Sequence, residues 1–281
     1  MNVLGLGTAG CKIASLFEAY PQYNVFYADV GRNAKNEVDL PTVTTPEEAD
    51  DESVSLEHLD ITSNQIFFIM VGSGVTSTFS LRVLEQLKTK DIFVVYVRPK
   101  LNLLNEKEKK IERMVFGILQ EYARSGVFKR IYLLDNKSIE GIIGDTSLAS
   151  YFIEINKIIV STMHMLNYLS FSKKIMDNLL EPNEINRVCT VGILDLKKNV
   201  EKKFFDLKLP REKQVYYLIT RDDLTNDKNL LNQITEHIEG MKKECESVSF
   251  SITESSYEES HAYTLTFTNV VQEPDFLLTE P

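Results

Sequence analysis

The chain has 281 residues, of which 43% are hydrophobic and 26% charged, and its formal net charge is −10. This length accommodates one large domain or two modest ones with a substantial core. No apolar run approaches the roughly eighteen residues that a membrane-spanning helix needs, and the first residues lack the pattern of a signal peptide. The three cysteines form no CxxC pair and the histidines lack ligand spacing, so we expect a reduced cytoplasmic protein without a metal site.

Charge is unevenly distributed along the chain. Residues 36–81 contain nine acidic residues and no Lys or Arg, and residues 244–281 contain eight acidic residues and no Lys or Arg. The segment between them holds 28 of the 31 basic residues. This distribution disfavours binding to nucleic acid or to membranes, and it favours attraction between copies of the chain. Ordinary solvated faces are the simpler alternative.

Strands and helices alternate over the first half of the chain. A loop-rich connection with one short helix is predicted over residues 31–64. The repeated strand–helix–strand order predicts a parallel, Rossmann-like sheet with helices on both faces. The apolar runs predict strands at 3–7, 24–30, 66–72, 92–99 and 130–136, and helical spacing predicts helices at 11–20, 76–90 and 106–126.

The second half has a different pattern. Residues 147–180 contain neither Gly nor Pro and predict a single long helix, which ends before Pro182. The remainder predicts a smaller α+β domain, with strands at 188–196, 215–220, 248–255 and 262–270 and a helix at 222–243. We therefore expect a nucleotide-binding domain at 1–146, a central helix at 147–182, an α+β domain at 183–271 and an acidic tail at 272–281.

Two glycine-containing loops, at residues 5–10 and 72–78, each connect a predicted strand to a predicted helix. Glycine lets backbone N–H groups approach an anion closely, and the N-terminus of the following helix adds its dipole. Hydroxyl groups of the second loop add further donors. Two such loops on neighbouring strands would surround a polyphosphate from two sides, whereas tight turns with close packing are the structural alternative. The hydroxyl donors are Ser73, Thr76, Ser77 and Thr78.

The first loop also satisfies the GxGxxG pattern, and Asp29 ends the next predicted strand. That combination is the fingerprint of dinucleotide binding, in which the acidic residue binds a ribose hydroxyl. An NAD-dependent oxidoreductase is therefore one hypothesis. No catalytic dyad accompanies the fingerprint in the sequence, which counts against it.

The order of these landmarks resembles that of the tubulin/FtsZ GTPases over nearly the whole chain. Residues 5–11 resemble the first glycine loop of that family, and FFIMVGSGVTST resembles a weakened GGGTGTG phosphate signature. VVYVRPK is similar to the segment before the ribose-binding loop, YLLDNKSI to the loop with a guanine-facing Asn, and LITRDDLTNDKNLLNQITEHI to a strand and helix of the second domain. The helix at 147–180 would be the central helix.

The resemblance implies a site for GTP or GDP, with Mg²⁺ as a companion ion. It implies phosphate contacts from Gly7, Thr8, Ala9, Gly10, Cys11, Lys12, Gly72, Ser73, Gly74, Thr76 and Ser77. Glu106 and Lys110 would contact ribose and phosphate. Phe152 would stack on the guanine, Asn156 on the same helix face would bind its edge, and Asn136 or Asp135 would close the pocket. The ordinary alternatives are a solvated acid for Glu106 and a core residue for Phe152.

Several residues depart from the family pattern. Val75 replaces a threonine, Thr76 and Thr78 replace glycines, and Lys12 replaces a frequent Asn, although a lysine there could still contact phosphate or neutralise Asp29. No glycine lies between Gly31 and Gly72, so the loop that contacts the γ-phosphate in the family is absent or rebuilt.

The family hydrolyses GTP in filaments, where acidic residues from the next subunit position the attacking water. The matching segment here offers Asn183, Glu184 and Asn186 as the groups supplied to the next subunit. An amide orients water but cannot accept its proton, so hydrolysis should be weak unless Glu181 or Glu184 substitutes.

The leading hypothesis is a compact, divergent tubulin/FtsZ-like protein that binds GTP, assembles head to tail with itself into filaments and hydrolyses GTP weakly. Its small size and short first domain favour, within that family, the members found in phages and mobile elements. The alternative is a nucleotide-independent scaffolding protein that retains the fold.

Overall fold

The computed structural model describes residues 1–273, and these form two compact units. Among the described residues, the first unit contains residues 1–160 and 271–273, and the second contains Ser161–Val270.

The first unit is a parallel sheet with helices. Its strands pair side by side in the order β3-β2-β1-β4-β5-β6, and every pairing is parallel, as predicted. The strands are β1 Asn2–Leu6, β2 Asn24–Asp29, β3 Glu37–Asp39, β4 Gln65–Val71, β5 Asp91–Arg98 and β6 Arg130–Asp135. The helices are α1 Gly7–Ser15, α2 Pro46–Asp51, α3 Ser80–Gln86, α4 Glu106–Arg124, α5 Asn136–Ile143 and α6 Tyr151–Phe171, the last of which ends in the second unit.

Burial explains why these residues form a parallel sheet. All five residues of β1 and the five central residues of β4 are buried, as expected for strands that are covered on both faces. The helix α4 begins at a capping box, in which Asn105 and Glu108 satisfy each other's backbone N–H groups. Its apolar stripe, which includes Val115 and Leu119, is buried.

The second unit is α+β, as predicted. Its strands pair in the order β8-β12-β10-β11-β7, and β9 pairs with β8. The parallel pair β10 and β11 is joined by two helices, and the other pairings are antiparallel. The elements are β7 Met176–Asn178, β8 Val188–Asp195, β9 Val200–Lys203, β10 Glu212–Thr220, α7 Arg221–Asn226, α8 Leu230–Met241, β11 Ser247–Ser255 and β12 His261–Thr268. Ile234 and Ile238 of α8 pack into a core with Val215, Tyr217 and Ile252.

The prediction of one helix over residues 147–180 is wrong at both ends, because α6 covers only Tyr151–Phe171. At the C-terminal end the Ser172 hydroxyl donates to the Leu169 carbonyl at 3.1 Å, and the chain then leaves the helix to form β7. Ile175 N–H donates to the Ile252 carbonyl at 2.7 Å, beside the pairing of β7 with β11. Strand pairing therefore overrides the helical periodicity of these residues. Within residues 1–273 no helix combines the length and the apolar character that a membrane crossing requires.

Other predicted boundaries also need correction. The helix predicted over 76–90 is a 3₁₀ turn at Val75–Phe79 followed by the short α3. The helix predicted over 222–243 is divided into α7 and α8, because the chain is extended at Asp227. The short elements β3, α5, β7 and β9 were not predicted from the sequence.

The predicted tail at 272–281 begins too early. Gln272 is buried, its backbone N–H donates to Gln120 Oε1 at 2.7 Å, and Gln120 Nε2 donates to the Gln272 carbonyl at 3.1 Å. Gln272 is therefore part of the first unit. Residues 274–281 lie outside the described residues.

Candidate functional site

The glycines of the first loop set the path of the chain between β1 and α1. Gly7 has a φ of +69°, a conformation that L side chains rarely adopt. A Cβ on Gly5 would lie 2.7 Å from the Gly10 carbonyl oxygen, and a Cβ on Gly10 would lie 2.6 Å from the Ile69 carbonyl oxygen. The structural alternative, a tight turn with close packing, therefore explains the glycines at all three positions. Their combined effect is to bring the N-terminus of α1 to the edge of the sheet.

The first turn of α1 leaves its backbone donors open to an anion. Leu6, which precedes the helix, provides no side-chain cap, and the first turn contains no acidic residue. Thr8, Ala9 and Lys12 are exposed there. Since the first N–H groups of a helix have no intrahelical partner, this turn has the polarity that a phosphate requires.

Asp29 anchors the first loop. Its Oδ2 accepts a hydrogen bond from the Thr8 hydroxyl at 2.8 Å, and its Oδ1 accepts one from the Val30 backbone N–H at 3.0 Å. Asp29 is only 8% exposed. Both carboxylate oxygens are thus engaged within the protein, which weakens the hypothesis that Asp29 binds the ribose of NAD.

The side chain of Cys11 is enclosed within the first unit. Its thiol is buried and donates to the carbonyl oxygens of Gly5 at 3.4 Å and Ala28 at 3.7 Å. Burial raises the pKa of the Cys11 thiol to about 11. The thiol therefore stays protonated at neutral pH and is a poor nucleophile.

Two hydroxyl groups of the second loop donate hydrogen bonds to carbonyl groups of the same loop. The Ser77 hydroxyl donates to the Gly74 carbonyl at 2.6 Å and is also 3.3 Å from the Gly72 carbonyl oxygen. The Thr78 hydroxyl donates to the Val75 carbonyl at 2.6 Å. These two hydroxyls donate within the loop, whereas the sequence led us to expect that they would donate to a phosphate. Ser73 and Thr76 are partly exposed and Gly74 is exposed.

The two loops meet at the carboxyl edge of the sheet. β1 and β4 are parallel neighbours, with Leu6 opposite Met70, so both loops leave the sheet at the same edge. A Cβ on Gly7 would lie 3.6 Å from Thr76 Cβ. The chain passes from β1 to β2 on one side and β4 lies on the other, which makes this the topological switch point where open α/β sheets bind ligands.

The connection after β5 ends at the start of α4. Glu106 is exposed, and its carboxylate forms an ion pair with Lys109 at 2.8 Å rather than with Lys110. The hydrogen bond from Lys109 is the main reason why the pKa of Glu106 is lowered. Lys110 is exposed. The roles of Glu106 and Lys110 toward ribose and phosphate remain predictions.

Asn136 is the first residue of α5, directly after β6. Asp135 caps this helix, because its Oδ1 accepts the Lys137 backbone N–H at 2.8 Å. Asn136 is only 7% exposed, and its Oδ1 has no hydrogen-bond partner within the described residues. A buried amide oxygen without a donor is costly, so Asn136 is a candidate acceptor for a ligand N–H group.

The start of α6 carries the residues predicted to face the base. Phe152 is 60% exposed, so the alternative that it belongs to the core is wrong. Asn156, four residues further on, is half-buried. The four-residue spacing places the aromatic ring and the amide on one side of the helix, and their roles toward a base remain predictions.

Sequence reasoning missed a polar cluster around Tyr151. Lys100 forms an ion pair with Glu140, and its ammonium lies 5.4 Å from the centre of the Tyr151 ring. Burial raises the pKa of Tyr151. The tyrosine also packs edge-to-face on Phe152, with ring centres 5.0 Å apart. This cluster fixes the start of α6 beside its exposed aromatic residue.

Sequence reasoning also missed the buried pair of Arg98 and Glu112. A signal was present in the sequence. Arg98 ends β5 after a run of apolar and aromatic residues at 92–97, and Glu112 lies among the apolar positions of α4. Charged residues at such positions are almost never fully buried unless they are paired.

The segment predicted to act on the next subunit lies in the second unit. Asn183 and Glu184 are exposed, whereas Asn186 is only 6% exposed. Asn183 Oδ1 accepts the Ile185 N–H at 3.2 Å, and the Asn183 N–H donates to Glu212 Oε2 at 2.9 Å. Asn186 is as buried as Asn136, and its Oδ1 likewise has no hydrogen-bond partner within the described residues, so Asn183 and Glu184 are the more accessible candidates.

No group of three or more His, Cys, Asp and Glu side chains among the described residues is arranged to hold a metal ion.

Comparisons with known proteins give structural but not sequence similarity. The sequence matches no protein-family model and no curated protein. Among solved structures, GDP-form protofilaments of Bacillus thuringiensis serovar israelensis TubZ match with a TM-score of 0.74 and 16% identity, covering 97% of this chain and 88% of TubZ. Helical models of two-stranded and four-stranded TubZ-Bt filaments also match.

Two further proteins are similar over a comparable length. CetZ1 from Haloferax volcanii, a GDP-bound monomer, has a TM-score of 0.70 and 12% identity and covers 97% of this chain and 95% of CetZ1. The empty FtsZ dimer of M. jannaschii has a TM-score of 0.69 and 12% identity and covers 95% of this chain and 87% of FtsZ. At such identities the similarity establishes the fold, and it confirms the fold class expected from the sequence.

Proposed function

We propose that this chain, which has the tubulin/FtsZ-like fold, binds guanine nucleotide and assembles head to tail into filaments. The observation that carries this proposal is the convergence of two glycine loops at the carboxyl edge of β1 and β4. An open helix N-terminus faces the same edge, which suits a polyphosphate. GDP-form and GTPγS-form protofilaments of TubZ, a protein of the same fold, support the choice of a guanine nucleotide.

The phosphates would be bound mainly by backbone N–H groups. In this proposal Lys12 adds a side-chain donor from the first loop, whereas Thr8 and Ser77 contribute through their backbones because their hydroxyls are already engaged. The proposed phosphate-binding residues are Gly7, Thr8, Ala9, Gly10, Cys11, Lys12, Gly72, Ser73, Gly74, Thr76 and Ser77.

The base and ribose would be held by side chains of α4, α5 and α6. Guanine presents N–H donors on one edge, and the free amide oxygen of Asn136 is a suitable acceptor for them. Phe152 would stack on the ring, Asn156 would bind its edge, and Glu106 with Lys110 would contact the ribose and a phosphate.

A Mg²⁺ ion that enters with the phosphates would have few protein ligands. Mg²⁺ is usually bound through one or two carboxylates together with substrate phosphates. In the first loop the Thr8 hydroxyl oxygen is the fitting group, because both oxygens of Asp29 already accept hydrogen bonds within the protein. The ion would neutralise phosphate charge.

Exposed apolar side chains support assembly. The second unit carries four that are more than half exposed, from the last residue of α6 to the segment before β8, and exposed apolar side chains suit a contact surface. These residues are Phe171, Ile175, Leu180 and Ile185. In the first unit, Leu148, Phe152 and Ile153 are also more than half exposed. A head-to-tail contact would join two different surfaces and would therefore build an open polymer.

Hydrolysis in such a polymer would be slow. Asn183 and Asn186 are amides, and an amide cannot accept the proton of the attacking water. Glu184 is the exposed carboxylate between them, and it would be the group to promote any remaining turnover.

Titration with a fluorescent GTP analogue tests nucleotide binding. Asn136→Ala should weaken binding at least about tenfold, because it removes an acceptor for the base, and Asn156→Ala should weaken it similarly. Asn232→Ala, an exposed residue of α8, is the matched control and should bind as the unmodified protein does. Equal affinity in all four proteins, or no binding by the unmodified protein, would contradict the proposal.

A nucleotide-independent scaffold is the second candidate. The observation that favours it is the inward orientation of the Ser77 and Thr78 hydroxyls, which leaves the second loop with fewer donors than the family signature. A scaffold would assemble to the same extent with and without nucleotide, which separates the two candidates.

A further inference from the structure

A buried polar cluster lies beneath the second glycine loop. Tyr96 and Arg98 are two residues apart on β5 and therefore share one face of the sheet. Glu112 is on α4, which covers that face. All three side chains are almost completely buried, with at most 2% exposure.

One carboxylate oxygen joins the three residues. The Tyr96 hydroxyl donates to Glu112 Oε1 at 3.2 Å, and Arg98 Nε lies 3.3 Å from the same oxygen. The Arg98 guanidinium also lies 4.9 Å from the centre of the Phe116 ring, which belongs to α4 as well. Burial raises the pKa of Tyr96 well above its usual value, so the hydroxyl keeps its proton and remains a donor.

The Tyr96 hydroxyl also occupies the place that a side chain at position 72 would take. A Cβ built on Gly72 would lie 1.7 Å from the hydroxyl oxygen and 2.3 Å from the ring carbon that bears it. Any other residue at position 72 would clash with Tyr96, so glycine is required there whether or not the loop binds a ligand. The Gly72 carbonyl lies within 3.3 Å of the Ser77 hydroxyl, so the position of Gly72 affects the turn that follows.

We propose that Tyr96 is a positioning residue that fixes the second glycine loop to α4 through Glu112. This inference rests on the proposed nucleotide site for its functional consequence. Glu112 lies six residues, or about 9 Å, along α4 from Glu106, the predicted ribose contact. In this proposal α4 connects the second glycine loop, through Tyr96 and Glu112, to its own N-terminal end, where Glu106 is predicted to contact the ribose. Loss of the Tyr96 hydroxyl frees the loop and weakens the binding of the phosphates.

Amide hydrogen exchange of residues 72–79 tests the positioning directly, with the amides of β6 as the internal reference. Tyr96→Phe removes only the hydroxyl, and we expect about tenfold faster exchange in the loop, as for the loss of one buried hydrogen bond, with β6 unchanged. The affinity for a fluorescent GTP analogue should fall about threefold to tenfold. Tyr217→Phe is the matched control, because Tyr217 is buried in the second unit and its hydroxyl has no hydrogen-bond partner within the described residues. It should change neither measurement.

A second pair of variants decides the case if Tyr96→Phe does not fold. Glu112→Gln and Glu112→Leu both remove the charge that pairs with the buried Arg98, but only Glu112→Gln keeps an oxygen that accepts the Tyr96 hydroxyl. The comparison between them therefore isolates the acceptor, and exchange in the loop should be faster in Glu112→Leu than in Glu112→Gln. Unchanged loop exchange in both Tyr96→Phe and Glu112→Leu would overturn the inference. Absence of GTP binding by the unmodified protein would instead refute the proposed function, while the exchange comparison still decides the positioning.

Discussion

The two glycine loops lie at neighbouring positions, but they differ in the hydrogen-bond donors that they leave open to a ligand. In the first loop the Thr8 hydroxyl donates to Asp29, and the first turn of α1 is uncapped and exposed. In the second loop the Ser77 and Thr78 hydroxyls return to carbonyl groups of the loop. The comparison teaches that a glycine pattern predicts a path of the backbone, whereas the availability of donors depends on local hydrogen bonds that the pattern does not reveal.

The largest expected effect is the loss of stability when alanine replaces a sterically confined glycine, in comparison with the same replacement at an unconfined glycine. Gly10→Ala would place its Cβ 2.6 Å from the Ile69 carbonyl oxygen, a backbone atom that cannot move freely. We expect a loss of about 2–3 kcal/mol in the free energy of unfolding, as for other overpacked sites. Gly74→Ala meets nothing within 4 Å and should change stability by less than about 0.5 kcal/mol. Urea denaturation measures both. Equal stability of the two variants would show that the first loop is not closely packed.

The next effect is a pH dependence specific to the first loop. The pKa of the Cys11 thiol is about 11 in the folded protein, against a usual value of 9.0. A raised folded-state pKa means that the stability from the buried neutral thiol is complete below pH 9 and is lost as the pH rises toward 11. We expect the free energy of unfolding to fall by up to about 2 kcal/mol more in the unmodified protein than in Cys11→Ala over this interval. Parallel pH profiles for the two proteins would contradict the assignment.

A smaller effect separates the hydroxyl groups of the two loops. Thr8→Val removes the hydrogen bond to the buried Asp29 and should lower both stability, by about 1 kcal/mol, and affinity for GTP, by about threefold to tenfold. Ser77→Ala should cost similar stability but leave the affinity within about twofold, because that hydroxyl does not face the ligand. Melting curves and nucleotide titration of the same samples provide the comparison. If Ser77→Ala weakens binding as much as Thr8→Val, the two loops are equivalent.

The smallest effect concerns the exposed charge of the first loop. Lys12→Gln should reduce GTP affinity about twofold to threefold at low salt, since an exposed cation contributes little and is screened. The difference should vanish in about 1 M salt, where the Debye length is about 3 Å. A salt-independent loss would indicate a direct, shielded contact instead.

The main features of the first unit could be predicted from the sequence because each depends on a local pattern. Apolar runs such as residues 66–72 identify buried strands, and glycine loops mark the turns between strands and helices. The end of α6 could not be predicted in this way. Residues 175–178 have helical spacing, but they pair with β11, whose strand begins about seventy residues later. Long-range pairing leaves no trace in a local periodicity.

The candidate site was predictable in outline but not in its contacts. The family resemblance indicated Gly7, Asn136 and Phe152, and their contacts with a ligand stay predictions. Phe152 is exposed, and the Asn136 amide oxygen has no partner within the described residues. The link from Tyr96 to Glu112 was not predictable, because it joins a strand to a helix through a hydrogen bond between side chains. The orientation of Ser77 was missed for the same reason, since its sequence neighbours equally permit an outward hydroxyl.

Sedimentation of the purified protein with GTP, with GDP and without nucleotide tests the central claim most directly, at near-physiological salt. The proposed function predicts that the protein pellets with GTP, that it pellets much less with GDP or without nucleotide, and that Asn136→Ala remains in the supernatant with GTP. Equal pelleting in all three conditions would contradict nucleotide-gated assembly, and the fold would then serve a scaffold that does not need nucleotide.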